Sequence, residues 1–148
     1  LDEAMKRIKY NVHMASPTAM ISVFLLQRME TGLAQILVGF RVDDIVGPTV
    51  VVSPGGIMAE IYNDAAVRLA PVTKKTALEM LHEVEGLAPV RGYRGLPRGD
   101  LEAVATIIHK LSQLAFLVDT ITDAEINPVI IKKRGAVAVD GLIVKKIR

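Results

Sequence analysis

The sequence predicts an α+β domain: a mainly antiparallel sheet with helices packed against it. Three observations carry this. Short Val- and Ile-rich runs recur with Gly, Pro and Asp turns between them. Three other stretches space their apolar residues at the helical period. The strand-like runs mostly neighbour one another along the chain, which favours hairpins over alternating βαβ units.

Asp2 to Met14 sets Ala4, Ile8 and Val12 against Lys6, Arg7 and Lys9, a helical pattern closed by Pro17. Ala19 to Met29 reads as a buried strand, Glu30-Thr31-Gly32 as a turn, and Gln35 to Val42 as the returning strand. Asp43-Asp44 and Gly47-Pro48 lead into a third strand, Thr49 to Val52. Ser53-Pro54-Gly55-Gly56 follows, then apolar runs at Ile57 to Tyr62 and Ala66 to Pro71. Thr73 to Glu85 is a second helix, with Thr73 as N-cap and Gly86 as its stop. Asp100 caps a third, which runs to about Phe116 with Leu101, Val104, Ile108 and Leu111 along one stripe. A hairpin ends the chain, from residues 125–131 through Lys132-Lys133-Arg134-Gly135 to residues 136–143.

Composition narrows the function classes. The 148 residues, 51% of them hydrophobic, suffice for one well-buried domain. A net charge of +2 is too small to imply a nucleic-acid surface. The absence of Cys excludes thiolate metal sites and disulfides and is compatible with a cytoplasmic protein. No apolar run reaches the roughly 18 residues of a membrane span, so neither nucleic acid nor membrane is an expected partner. The chain opens at Leu1 inside a helical pattern, which predicts a segment of a longer protein.

The terminal hairpin carries the clearest chemistry. A four-residue loop at 132–135 would set Asn127 directly opposite Asp140, and a two-residue loop would make them diagonal neighbours. Either register puts both side chains on one face, with Glu125 two residues away on that face. An amide oxygen and a carboxylate together suit Mg²⁺, which takes few protein ligands and keeps positions for water and nucleotide phosphates. The same residues also fit an ordinary solvated hairpin.

Other groups are less specific. Ser53-Pro54-Gly55-Gly56 can carry backbone close past a ligand or simply turn the chain. Arg91 and Arg94, in Arg91-Gly92-Tyr93-Arg94-Gly95, suit a phosphate or carboxylate as well as they suit a salt-bridged loop. Glu60, Asp64 and Arg68 read as a charge cluster near the Gly-Gly turn. His13, His82 and His109 have no metal-ligand spacing and read as structural. No Ser/His/Asp arrangement and no G-x-x-x-x-G-K-[ST] occurs. The expected chemistry is therefore positioning of metal and phosphate, with no nucleophile of the chain's own.

Val23 to Met29, Gln35 to Gly39 with Asp43, Gly47-Pro48, Gly55-Gly56 with Glu60, Arg91 to Gly95, Glu125-Ile126-Asn127-Pro128 and Ala138-Val139-Asp140 follow in this order. Together they resemble the C-terminal half of the ATP-grasp domain of NDP-forming acyl-CoA synthetases, acid–thiol ligases related to the β subunit of succinyl-CoA synthetase. The resemblance covers nearly the whole chain. It implies a nucleotide site, ATP or ADP with Mg²⁺, in which Gln27, Arg28 and Met29 form a hinge strand beside the adenine and Glu30 and Gln35 lie near the ribose. Gly55 and Gly56 would border the phosphates, Asn127 and Asp140 would be the metal ligands, and Glu125 would face a phosphorylated histidine borne by another domain. The implied partners are the upstream ATP-grasp half and the CoA-binding and ligase domains.

Two departures from the family pattern matter. Gln35 stands where the family usually has Glu, and Val52-Ser53-Pro54 replaces a loop that usually carries Phe-Gly. The upstream half, with its phosphate-holding lysine and Gly-rich loop, is not in this sequence, so the chain alone is expected to be inactive. A second reading is a degenerate regulatory or interaction domain of the same fold. Gln35 and Pro54 favour it, whereas Glu125, Asn127 and Asp140 favour the catalytic one.

Overall fold

The fold is taken from a computed structural model, which describes residues 1–55 and 64–146. Gly56, Glu60 and the apolar run Ile57 to Tyr62 lie outside the described residues.

Helix α1 spans Asp2–Ala15, close to expectation, and buries none of its side chains. Strands β1 (Ala34–Asp43), β2 (Gly47–Pro54) and β3 (Ala66–Leu69) form an antiparallel meander. Helices α2 (Lys74–Glu83) and α3 (Leu101–Ser112) follow, the second running on into a 3₁₀ turn at Gln113–Leu117. Strand β4 (Ile121–Ile131) then pairs with β1 on one side. On the other it pairs with β5 (Ala136–Ala138) and β6 (Gly141–Lys145) in turn. The sheet order is β3-β2-β1-β4, with β5 and β6 both on β4, and every described pairing is antiparallel.

One face of this sheet carries the core. Ile36 and Val38 of β1, Val50 and Val52 of β2, and Val129 and Ile131 of β4 meet Met80 and Leu81 of α2 and Val104 and Ile108 of α3, all fully buried. Burying each such side chain contributes about 1.5–3 kcal/mol. The opposite face has no helix across it among the described residues. The predicted α+β class therefore holds, with α2 and α3 packed on a single side.

The caps explain the helix boundaries. Thr73 Oγ1 accepts from the Thr76 N–H at 3.1 Å and opens α2. The helix stops at Val84, whose backbone turns extended, and not at Gly86 as the sequence suggested. The Gly86 N–H instead donates to Asp64 Oδ2 at 2.7 Å. Asp100 Oδ1 accepts from the Ala103 N–H at 3.0 Å and caps α3 as expected.

The largest correction concerns Ala19 to Met29. It is neither strand nor buried: the backbone carries no regular structure, and Met20 and Met29 are 95% and 90% exposed. A strand needs a hydrogen-bonded neighbour, and none of the described strands pairs with this segment. Gln35 to Val42 is thus not the return of a hairpin with it. Those residues form β1, which pairs with β2 and β4.

Candidate functional site

The terminal hairpin has the four-residue loop. Ile131 pairs with Ala136, Val129 with Ala138, Ile126 with Gly141 and Glu125 with Leu142, one continuous register that sets Asn127 opposite Asp140. The Asn127 N–H donates to the Asp140 carbonyl at 3.2 Å. The turn is anchored at its far end, where Gly135, at φ +78°, donates its N–H to Asp100 Oδ2 at 2.7 Å. The α3 cap and the hairpin loop therefore share one carboxylate. Those two hydrogen bonds hold the Asp100 carboxyl below the usual carboxylate range, that from Gly135 being the stronger cause.

A bulge sets which side chains face outward. Ile36 pairs with Val129 and Val38 with Ile126, so Asn127 and Pro128 together stand opposite Leu37. The extra residue lets Ile126 and Val129, three positions apart, both pack into the core. Glu125 and Asn127 remain on the open face and are exposed. With Asp140, Gly141 and Leu142 they line one depression of about 50 Å³. The Gly141 N–H donates to Asp140 Oδ1 at 2.8 Å and restrains that carboxylate.

This donor set fits a hard cation. Two carboxylates and a side-chain amide line the depression, with no His or Cys among the described lining residues. Among the described residues no cluster of three His, Cys, Asp or Glu encloses a metal.

The nucleotide-side residues are placed less uniformly. The Gly55 N–H donates to the Gln35 carbonyl at 2.8 Å, and a Cβ at Gly55 would come within 2.9 Å of the Gln35 backbone. Gly55 and Gln35 are therefore brought together, beside Ile130 of β4. Asn127 lies three residues from Ile130, about 10 Å along the strand at ~3.3 Å per residue. Glu30 reaches the hairpin turn, where Lys132 Nζ donates to its Oε2 at 2.5 Å; Arg28 Nε lies 3.7 Å from the other oxygen. The Lys132 hydrogen bond is the main reason the Glu30 carboxyl is held below its ordinary range. Gln27, Arg28 and Met29 are exposed on the irregular segment. Gly56 is not described.

Other charged groups take structural work. Arg91 Nη1 donates to the Leu81 and Val84 carbonyls at 3.0 and 2.7 Å, finishing α2, and Arg94 stacks over Tyr93, 5.4 Å from the ring centroid. Of the expected Glu60, Asp64 and Arg68 cluster, Glu60 lies outside the described residues; Asp64 accepts from the Glu85 and Gly86 N–H groups, and Arg68 pairs with Glu83. His109 Nδ1 donates to the Val72 carbonyl at 2.7 Å, a structural role as read from the sequence.

One feature was missed. Beyond Glu125 on the open face lies a groove of about 330 Å³, floored by Leu37, Gly39, Val51, Leu142 and Val144, with an Arg41–Asp123 ion pair at its mouth. The alternation of Leu37 and Arg41 against buried Ile36, Val38 and Phe40 was the available signal.

The described chain is thus an antiparallel sheet with α2 and α3 on one face and oxygen-bearing side chains on its last hairpin. The model of the ATP-grasp domain family matches residues 1–144, and the chain belongs to that family. Among curated relatives, the β subunit of an ADP-forming acetate–CoA ligase I from Pyrococcus furiosus is 34% identical over 142 residues, covering 96% of this chain and 61% of its own length. Two solved structures of the dinucleotide-forming acetyl-coenzyme A synthetase 1 from Ca. Korarchaeum cryptofilum, each 28% identical, are also similar. One, with coenzyme A, acetyl-coenzyme A and a phosphorylated phosphohistidine segment, has a TM-score of 0.88 and covers 98% of this chain and 65% of that one. The other holds coenzyme A and Mg-AMPPCP, its phosphohistidine segment pointing towards the nucleotide binding site; its TM-score is 0.73 over 80% of this chain and 55% of that one. The chain thus spans less than two thirds of the length of these relatives.

Proposed function

We propose that this chain is the nucleotide- and magnesium-binding C-terminal half of an ATP-grasp domain in a longer ADP-forming acyl-CoA synthetase, a cytoplasmic enzyme. The single observation behind this is the meeting of Glu125, Asn127 and Asp140 in one depression on the open sheet face. The overall reaction would be acid + CoA + ATP to acyl-CoA + ADP + phosphate, through a phosphohistidine on another domain. The upstream ATP-grasp half and the CoA-binding and ligase domains are the partners this reading requires.

In this reading Asn127 Oδ1 and the Asp140 carboxylate hold the cation. When bound, magnesium offsets charge on the phosphate oxygens during in-line transfer. Gln35 and Gly55, with Gly56 next in the chain, border the nucleotide, with Gln35 offering an amide to a ribose hydroxyl. Gln27, Arg28 and Met29 approach the base once the irregular segment gains a neighbouring strand, and Glu30 stays tied to Lys132 beside them. The Glu125 carboxylate accepts a hydrogen bond from the incoming imidazole N–H and so turns the other ring nitrogen toward the phosphorus.

The test is acid- and CoA-dependent ADP formation by the full-length protein and its Asp140→Ala variant. A loss of about 100-fold or more is expected. Unchanged turnover would remove Asp140 from the mechanism. An inactive parent protein would favour the degenerate regulatory reading, toward which the neutral Gln35 points.

A further inference from the structure

We propose that β6 is a docking edge for a second copy of this chain, paired antiparallel about a two-fold axis at Ile143. This goes beyond the nucleotide reading above and does not depend on it. β6 pairs with β4 on one side, and among the described residues no strand lies on its other side. Hydrogen bonds at its two ends fix which backbone groups turn which way. The Asp140 carbonyl accepts from the Asn127 N–H, and the Lys146 N–H donates to the Thr120 carbonyl at 2.9 Å, both toward β4. Alternation along the strand then turns Leu142 and Val144 toward β4 and Gly141, Ile143 and Lys145 outward. The outward N–H and C=O groups of Ile143 and Lys145 meet no hydrogen-bond partner among the described residues. The Gly141 N–H is taken by Asp140 Oδ1 at 2.8 Å, which leaves its carbonyl open.

The edge matches itself. An antiparallel copy centred on Ile143 sets that residue against its own counterpart, where each outward N–H reaches the other's carbonyl. The Lys145 N–H then meets the open Gly141 carbonyl of the second copy, and Leu142 lies across from Val144. These two side chains, 63% and 41% exposed, join their counterparts in one apolar cluster on the open sheet face. One step further out, the exposed Asp140 faces the exposed Lys146 of the other copy, so the pairing closes on opposite charges at both ends. Gly141 to Val144 holds no proline and no charged side chain, the usual defences of an edge. The opposite described edge differs: β3 is four residues long and carries Arg68, paired with Glu83.

The experiment uses the full-length protein, kept free of divalent cations so that Asp140 carries only its own charge. Sedimentation velocity follows association across micromolar concentrations, and hydrogen exchange is followed at the Ile143 and Lys145 amides. The wild type is expected to dimerise with a Kd of about 10–100 µM, as a small interface does, and both amides should exchange more slowly as dimer forms. Ile143→Pro removes an outward donor and leaves the β4 ladder whole, so it should abolish dimerisation. Lys146→Glu sets like charges face to face and should weaken dimerisation severalfold, whereas Lys146→Arg should keep it. Dimerisation unchanged in Ile143→Pro would overturn the proposal by placing the interface elsewhere. Should that variant fail to fold, dimerisation unchanged in Lys146→Glu would do the same. A wild type still monomeric at about 200 µM would also overturn it. So would amides protected equally at every concentration, because another segment of the same protein would then cover the edge.

Discussion

Asn127 stands directly opposite Asp140 across the terminal hairpin, its N–H donating to the Asp140 carbonyl at 3.2 Å. The residues are thirteen apart in sequence, and their meeting depends on an even loop between them. The register is therefore part of the proposed metal site.

Inserting one glycine between Arg134 and Gly135 tests that dependence. An odd loop moves every side chain of the returning strand to the other face, taking Asp140 away from Asn127. Paramagnetic broadening by Mn²⁺ should then vanish from the Asn127 amide resonances while the sheet persists. Broadening equal to wild type would show that the register does not matter to binding.

The isolated chain should bind Mg-ATP weakly, with a Kd above about 1 mM, because half a clamp offers one wall. Calorimetry at millimolar nucleotide is sufficient. Submicromolar binding would sink the half-site reading.

Glu30 and Lys132 make a pH prediction. The Glu30 carboxyl is held below its usual 4.5 by the Lys132 hydrogen bond, so the folded state prefers the ionised form. The stabilisation is complete above the unfolded pKa and is lost as pH falls through the lower folded one. Lys132→Met should raise the Glu30 pKa, read from its side-chain carbon shift during an NMR titration, and flatten the acid limb of the stability curve. A pKa that stays put would assign the shift to another group.

Two apolar residues that look alike in sequence should behave differently. Ile108 is fully buried between α3 and the sheet, so Ile108→Ala should cost about 2–5 kcal/mol in urea unfolding of this chain. Leu25 is 83% exposed, so Leu25→Ser should change stability by less than about 0.5 kcal/mol. A large effect at Leu25 would mean that the irregular segment is packed after all.

What could be read in advance follows from local rules. The caps at Thr73 and Asp100, the alternation in β1 and the even hairpin loop are all decided by residues within a few positions of one another. Ala19 to Met29 failed for the complementary reason. Apolar periodicity reports that a segment wants cover, not whether a neighbour exists to provide it. The use of Arg91 was equally hidden, since its acceptors belong to carbonyls freed where α2 ends.

By itself the sequence determined the class of fold, the helix starts and that an even hairpin loop would bring Asn127 and Asp140 to one face, because each rests on short-range geometry. Only the tertiary structure decided that α2 and α3 cover one face and that, among the described residues, no helix covers the other. It also decided that a bulge at Asn127–Pro128 keeps Glu125 outward, and that Glu30 is tied to Lys132. Those outcomes depend on which surfaces find partners across the sheet, and no local pattern of residues encodes that.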